Sequence, residues 1–420
     1  MATMICVFEG TNYERLLPLV YFRPVYDLRC GMQTLREKIQ RAYPKAPVAL
    51  HCRGYLADLV RQQNPGTLVN EVKGDRCLFI DGRVLADESF AKQIPLTGAD
   101  TLYVSGDTVV AARVSGERLQ ELRGGLGELF RVPDIAGITR KDVNVKVISY
   151  PWHLVGNNGE QLVADFKALV GGKRGSKIKG RVYKGAVLLN PKNIFIDTGA
   201  QIKPGAVLDA EGGPIYIGKN VKVFPNATLE GPLYIGDGSL IKIGAKIYEH
   251  TSIGPMCKVG GEVEASIIHS YSNKQHDGFL GHAYLGMWVN LGADTNNSDL
   301  KNNYGNVKVF VRGEMVDTGS MFVGLTMGDH SKAGINTMFN TGTVVGVSSN
   351  VYGTDFPPKF VPSFAWGGAG SMTTYNLDQS IEVAQRVMGR RKIQLTPVEE
   401  QLLRTVFEMT RGERAKLGML

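Results

Sequence analysis

Seven histidines, a strand-ending aspartate and two knots of basic residues are the groups in this 420-residue chain with the means to do chemistry. His250, His269, His276 and His282 fall within one short stretch. An imidazole that titrates near neutral pH can take a proton from an amine or hydroxyl as it attacks a carbonyl, or can bind a metal ion. Metal-ligand histidines must converge, and no spacing compels these four to do so. Asp81 closes the apolar run Leu78-Phe79-Ile80 ahead of Gly82. A carboxylate at the C-terminal edge of a strand in an open α/β sheet is a sensible ligand site, and Mg2+ takes one or two carboxylates plus phosphate oxygens. Asp-Gly pairs also make turns for local backbone reasons, which is the reading for Gly106-Asp107. Lys173-Arg174, Lys177, Lys179, Arg181 and Arg390-Arg391-Lys392 contribute to a net charge of +8. That charge favours anionic partners, but without interleaved aromatics it argues against nucleic acid and for phosphorylated small molecules. Five cysteines lack CxxC spacing, which argues against zinc and against a disulfide framework.

The elements that must position these groups announce themselves by a six-residue beat. Ile217, Val223, Leu229, Ile235, Ile241, Ile247, Ile253 and Val259 are branched aliphatics at one fixed spacing, a run whose chance probability is on the order of 10⁻⁵. Gly218, Gly236 and Gly254 add a period of eighteen. Three hexads therefore make one coil of a parallel β-helix, with a glycine turn at the same place in each. The beat extends to Ile196 and Ile202, to Phe279, Leu285 and Leu291, and through Met327, Ala333, Phe339, Val345 and Val351. It fails between Ala265 and Phe279 and between Asn297 and Val316, as expected of loops that leave a solenoid to build a site.

Residues 1 to about 132 alternate strand-like runs (Met4 to Phe8, Val48 to His51, Arg76 to Ile80, Thr108 to Val114) with helical patterns (Met32 to Tyr43, Tyr55 to Gln63). This is an open α/β sheet. From Val132 to Gly180 the periodicity weakens, and Gly171-Gly172 with its basic neighbours reads as a linker. Asp378 to Gly389 and Pro397 to Met409 read as helices capping the solenoid, the second opened by a Thr396-x-x-Glu399 capping box with proline at its first position. The expected domains are 1–175, 176–375 and 376–420. A composition 43% hydrophobic and 21% charged is that of a folded globular chain. With no apolar run near about 18 residues and no basic-then-apolar leader in MATMICVFEG, the expectation is a cytoplasmic protein without membrane contact.

A nucleotide-binding type of sheet followed by hexapeptide repeats resembles the bifunctional sugar nucleotidyltransferase and acetyltransferase family that makes UDP-N-acetylglucosamine, in particular a divergent bacterial branch. The resemblance is strongest over His276-Asp277-Gly278-Phe279-Leu280-Gly281-His282-Ala283-Tyr284-Leu285-Gly286, then Val289-Asn290-Leu291-Gly292-Ala293 and Leu300-Lys301-Asn302-Asn303-Tyr304-Gly305. It implies an N-terminal nucleotidyltransferase-like (Rossmann-like) α/β domain, a left-handed parallel β-helix with C-terminal helices, and a homotrimer with sites between subunits. It implies that His276 is the general base of acetyl transfer from acetyl-CoA to an amino-sugar 1-phosphate. Lys274, Asn290 and either Asp299 or Asn303-Tyr304 would grip the acceptor, and Ala293 and Gly346 would wall the pantetheine arm. In the N-terminal domain it implies transfer from a UTP-like nucleotide to a sugar 1-phosphate, with Gly10, Arg15 and Arg23 at the triphosphate and Asp81 on Mg2+.

This chain departs from the family pattern at several points. Phe279 stands where the family has a tyrosine, Ser266 falls near a family lysine, and Asp294 breaks a Gly-Ala-Gly run. One glycine, Gly10, replaces several in the phosphate loop, and Glu9 and Glu14 would repel a triphosphate unless offset. The poor loop keeps open a single-activity acetyltransferase whose N-terminal domain only binds nucleotide or sugar. A non-catalytic scaffold and a histidine-metal hydrolase stand behind it.

Overall fold

The structure, a computed structural model, describes residues 3–126, 129, 138–171 and 177–419. Val132, Gly172, Lys173 and Arg174, on which the linker reading rests, lie outside the described residues. Packing divides the chain into one unit of Met1–Leu16, Phe22–Leu28 and Gln33–Tyr150 and another of Leu17–Tyr21, Arg29–Met32 and Pro151–Leu420. The division falls between Tyr150 and Pro151, ahead of the expected boundary at 175.

In the first unit, seven strands run in the order Leu68–Val69, Val48–Leu50, Met4–Phe8, Arg76–Asp81, Thr108–Ser115, Thr101–Ser105, Thr139–Asp142. Met4–Phe8 is parallel to both of its neighbours, and Phe8 is the register partner of Asp81. Those strands are buried on both faces, so they read as continuous apolar runs rather than alternating ones. Helix Leu35–Ala42 starts at a Thr34/Glu37 capping box, and helix Ala57–Gln63 follows a short 3-10 turn. Gly106, at φ +58, makes the turn between Thr101–Ser105 and Thr108–Ser115.

The second unit is a three-faced parallel β-helix, the left-handed form expected of hexapeptide repeats. Face one stacks Arg181–Val182, Gln201–Ile202, Lys222–Val223, Leu240–Ile241, Lys258–Val259 and Asn273–Lys274. Face two runs from Val187–Leu189 to Phe279–Gly281, and face three from Ile194–Ile196 to Phe360–Val361. All eight aliphatics of the founding beat point inward and are at most 1% exposed. Met327, Ala333, Phe339, Val345 and Val351 continue that core.

Three expectations change. Phe279 is not an inward residue: Leu280 is the partner of Val263 and is buried, leaving Phe279 on the outer surface of face two. No loop leaves the solenoid between Ala265 and Phe279, because Ile267–Ser270 and Asn273–Lys274 keep their places in the stack. The coil is merely shortened, Val259 and Lys274 being partners. The second interruption does leave the solenoid, as the hairpin Lys308–Val311/Glu314–Asp317. Third, Pro151–Val170 is a single helix within the stretch over which the periodicity weakens. Its Asn158 and Gly159 are packing devices. Asn158 accepts from Gly31 N at 2.7 Å and Ser252 Oγ at 3.0 Å and donates to His250 O, and a Cβ on Gly159 would sit 2.2 Å from the His250 ring.

The C-terminal helices Leu377–Gly389 and Pro397–Met409 form as expected, the second with its capping box in place. Arg411–Lys416 adds a third.

The period-eighteen glycines do not supply the left-handed turn residue. That role falls to a neighbouring column, Asn220, Gly238, Met256, Tyr271 and Trp288, all at positive φ. Gly218, Gly236 and Gly254 instead permit close approach of the next coil: a Cβ on Gly254 would lie 1.6 Å from His269 O. Gly244 has open space around its missing Cβ and φ +67. Gly254→Ala should therefore destabilise the solenoid by more than about 3 kcal/mol as the coils are forced apart. Gly244→Ala should cost only about 1–2 kcal/mol, the left-handed penalty. Denaturant unfolding of both variants checks the difference, and equal losses would contradict it.

Candidate functional site

The resemblance-derived residues of the solenoid distribute over its three corners. His276 is exposed in the turn between faces one and two. Ala293 belongs to the turn stacked on it, where Asp294 N donates to Asp277 O at 3.1 Å. Asn290 is beside them on the outer surface of face one, in register between Asn273 and Lys332, and its Oδ1 accepts from Asn273 Nδ2 at 3.3 Å. These three share one edge of the solenoid.

Asp299, Asn303 and Tyr304 belong to the next corner, between faces two and three. Asp299 Oδ2 meets His282 Nδ1 at 2.8 Å, and the imidazole stacks on Phe322. A carboxylate on Nδ1 fixes an imidazole's orientation and tautomer. Glu264 borders the pair, and its carboxyl is pushed up by burial, the His282 contribution acting downward and Asp299 upward. Asn303 accepts from Gly305 N in a local turn, and Tyr304 is 69% exposed. His276 and His282 are separated by the length of the strand between them, roughly 16–20 Å.

Two placements correct the expectation. Lys274 does not face outward to an acceptor. It takes an inward position, the partner of Val259, and is 2% exposed. Its Nζ donates to His276 O at 2.6 Å and Asp277 O at 3.1 Å, so it braces the His276 turn from within. Burial lowers its pKa to about 8 although Asp277 and Asp294 act upward. Gly346 lies at the corner between faces three and one, buried, where a Cβ would meet Ser363 N at 2.3 Å. It is a glycine for coil contact and shares no wall with Ala293.

The four histidines also fail to gather. His250 and His282 lie at the corner between faces two and three, His269 is buried on face three against Ser270 Oγ, and His276 is at another edge. Among the described residues no group of three or more His, Cys, Asp or Glu is arranged to hold a metal ion.

In the first unit, Gly10 and Asp81 lie at the C-terminal edge of Met4–Phe8 and Arg76–Asp81, and Arg23 is tied to that edge through Arg53 and Glu9. Glu9 does not face a phosphate site. It is fully buried and receives Arg53 through Nε and Nη2, each at 3.0 Å, together with Val25 N at 2.8 Å. Arg53 also donates to Arg23 O and lies over the Tyr13 ring. Burial works against its charge, but Glu9, with Tyr55 and Tyr13, carries its pKa above the ordinary value. Arg23 is itself buried, whereas Arg15 is exposed beside Tyr150.

Asp81 is 2% exposed, and both its oxygens are engaged by Arg83: Nη2 to Oδ2 at 2.7 Å, Nε to both oxygens, and the backbone N to Oδ1 at 2.9 Å. A carboxylate covered by a guanidinium does not offer Mg2+ a ligand, and this arrangement does not fit the ion. Sequence reading missed Arg53, Arg83 and the His282–Asp299 pair. The last carries a signal in retrospect, since residues about 17 apart in a solenoid are neighbours on adjacent coils.

Comparison with known proteins bears on both units. Residues 5–174 match the sequence model of the sugar nucleotidyl transferase family. The chain is 25% identical over 277 residues to the bifunctional protein GlmU of Bartonella quintana, covering 63% of this chain and 56% of that protein. It is 29% identical over 239 residues to the bifunctional sugar-1-phosphate nucleotidylyltransferase/acetyltransferase of Sulfurisphaera tokodaii, covering 54% and 51%. A solved Arabidopsis UDP-N-acetylglucosamine acyltransferase matches at 11% identity and TM-score 0.29, over 51% of this chain and 78% of that one. The N-terminal residues thus resemble a sugar nucleotidyl transferase, and the stacked strands of the second unit define a hexapeptide-repeat solenoid. The chain is similar, at modest identity, to GlmU-like bifunctional proteins. The chain spans about half the length of the relatives it matches.

Lys274 and Asp81 each give a test. The unfolded chain keeps the lysine proton up to about pH 10.5 and the folded chain only to about 8. Folding therefore releases a proton between those values, and stability should rise with pH across the window. Lys274→Met should abolish that rise, as read by urea denaturation at the two ends of the window; an unchanged slope would mean that Lys274 does not carry it. Asp81→Asn strands the Arg83 guanidinium without its counter-charge and should cost about 3–5 kcal/mol. A loss of about 1 kcal/mol or less, the scale of an exposed pair, would show that the pair is not buried as described.

Proposed function

We propose that this chain is a transferase of sugar-nucleotide synthesis. Its solenoid transfers an acetyl group from acetyl-CoA to an amino-sugar 1-phosphate such as glucosamine 1-phosphate, and its N-terminal unit transfers a nucleotidyl group from a UTP-like nucleotide to a sugar 1-phosphate. The observation that carries the acetyl-transfer reading is the edge on which His276, Ala293 and Asn290 come together in the order of the family motif. The acceptor amine attacks the thioester carbonyl, His276 takes the proton released from that amine, and the C–S bond breaks to give the CoA thiol. Asp299, Asn303 and Tyr304 sit at the opposite edge of face two, so one chain does not complete the site. A homotrimer, in which a second copy presents that edge, would complete it. Among the described residues no helix is long and apolar enough to cross a membrane; a cytoplasmic setting is part of the same proposal.

A second reading applies to the N-terminal unit alone. Arg83 on Asp81 and Arg53 on Glu9 engage the carboxylates nearest the strand edge, which favours a unit that binds nucleotide or sugar without Mg2+-dependent turnover.

The deciding experiment is release of CoA thiol from acetyl-CoA with a panel of amino-sugar 1-phosphates, run beside pyrophosphate release from UTP and sugar 1-phosphates. We expect thiol release by the wild type and a loss of roughly a hundredfold or more in His276→Ala. No release on any acceptor would sink the acetyl-transfer reading. UDP-sugar binding without pyrophosphate release would favour the second reading of the N-terminal unit.

A further inference from the structure

An amino-sugar 1-phosphate carries a dianionic phosphate, and the lysine expected to hold it, Lys274, is turned into the solenoid with its ammonium on backbone carbonyls. The outer surface of face one offers other cations. In register along it stand Lys222, Leu240, Lys258, Asn273, Asn290 and Lys332, each about 4.8 Å from the next. The segment after helix Leu377–Gly389 brings Arg391 onto this column, where its Nη2 donates to Asn273 Oδ1 at 2.7 Å.

Lys258 therefore lies one coil below an asparagine that Arg391 already touches. Its electrostatic surroundings are all of one sign: burial lowers the Lys258 pKa first, and Arg391, Arg390 and Lys242 lower it further. Arg391 is likewise lowered by burial, with Arg390 adding to the effect and Cys257 and Tyr271 acting upward. Among the described residues, none of Lys242, Lys258, Arg390 and Arg391 has an ion-pair partner within 4.0 Å. Elsewhere exposed cations do find carboxylates, as Lys246 finds Glu262 and Arg404 finds Glu400 and Asp378. Like charges crowded together without a counter-charge repel, and a bound anion removes the repulsion while gaining charge-assisted hydrogen bonds. Arg391 has four N–H donors beyond the one on Asn273, and a guanidinium fork matches a phosphate.

The position suits an acceptor as well as the charge does. Asn273 precedes His276 by three residues, at most about 10 Å of extended chain, and its side chain is bonded to that of Asn290. Cations, amides and imidazole thus follow one another along a single edge.

We propose that Lys258 and Arg391, flanked by Arg390 and Lys242, form the subsite for the phosphate monoester of the acyl acceptor. This rests on the acetyl-transfer reading for the identity of the ligand, but the cation site itself is testable without turnover. Binding of glucosamine 1-phosphate, glucosamine and inorganic phosphate to the full chain is measured by calorimetry for wild type, Lys258→Gln, Arg391→Gln and Lys222→Gln. Lys222, exposed on the same column two coils away, is the control.

Lys258→Gln and Arg391→Gln should each weaken glucosamine 1-phosphate about ten- to a hundredfold. Glucosamine should be unaffected, and Lys222→Gln should match the wild type. In turnover the two variants should raise KM for the phosphorylated acceptor and leave kcat unchanged, a split that general damage to the fold would not produce. Wild-type affinity in both variants, or no saturable phosphate binding by the wild type, overturns the subsite. Phosphate binding that weakens in the two variants while the wild type releases no CoA thiol would keep the subsite and remove the acetyl-transfer reading.

Discussion

The N–H of Gly254 donates to Ile268 O at 2.8 Å, and the same bond joins Gly218 to Ile235 O and Gly236 to Ile253 O. This repeated coil-to-coil bond, in register and with no room for a side chain, is what the solenoid depends on. It holds successive coils at backbone distance, so the residue at one place in a coil lies directly over its counterpart in the last. Inward positions then merge into one apolar core, and corner positions into columns. A column of left-handed residues, Asn220 through Trp288, turns the chain beside the contact glycines. Proximity in this unit is consequently measured in coils. Asn273 and Asn290, or His282 and Asp299, are close because they are one coil apart.

Such a framework tolerates polar residues inside only where each donor and acceptor is answered. Lys274 occupies a place that Val259 fills in the coil below, and its buried ammonium is accommodated by the carbonyls of the turn that carries His276. The N-terminal unit follows the same rule with charges of both signs. Glu9 and Asp81, at the ends of adjacent parallel strands, are each met by a buried arginine. Removing one member of such a pair is far more damaging than the pair is stabilising, since the partner is left charged and dry. Two strand-end carboxylates in a nucleotide-binding type of sheet are thus held for reasons of folding. That constraint bears directly on whether a metal-dependent reaction can run there.

The repeat was legible because it is a one-dimensional pattern: eight inward aliphatics at a fixed spacing become eight buried side chains. The capping box at Thr396 was legible because it is local. What escaped was whatever needed a second coil or a distant segment to be understood. Phe279 looked inward by counting, but the shortened coil moves the inward place to Leu280. The helix Pro151–Val170 escaped because the partners that fix Asn158 and Gly159, the backbone of Gly31 and the ring of His250, are far away in sequence. Gly346 looked like a ligand wall because a glycine read alone gives no hint of Ser363 pressed against it. Lys274 had the right type and neighbourhood for a phosphate ligand and the wrong direction, since a strand residue's neighbour in sequence faces the opposite side.

That last error also shows where to look for the missing charge. If alternation sends Lys274 inward, the outward residue of the same strand is Asn273, and the column through Asn273 is the one on which an outside ligand can lie. It carries the cations Lys222, Lys258 and Lys332 and the adjacent amides Asn273 and Asn290, and Arg391 reaches it from the C-terminal segment rather than from the repeat. The repeat thus supplies a flat surface at fixed spacing, and a segment outside the repeat adds a guanidinium beside Asn273. A solenoid with no other departure from periodicity would have a uniform face. Selectivity for one anion must come from such additions, and in this chain they converge on the edge that also bears His276.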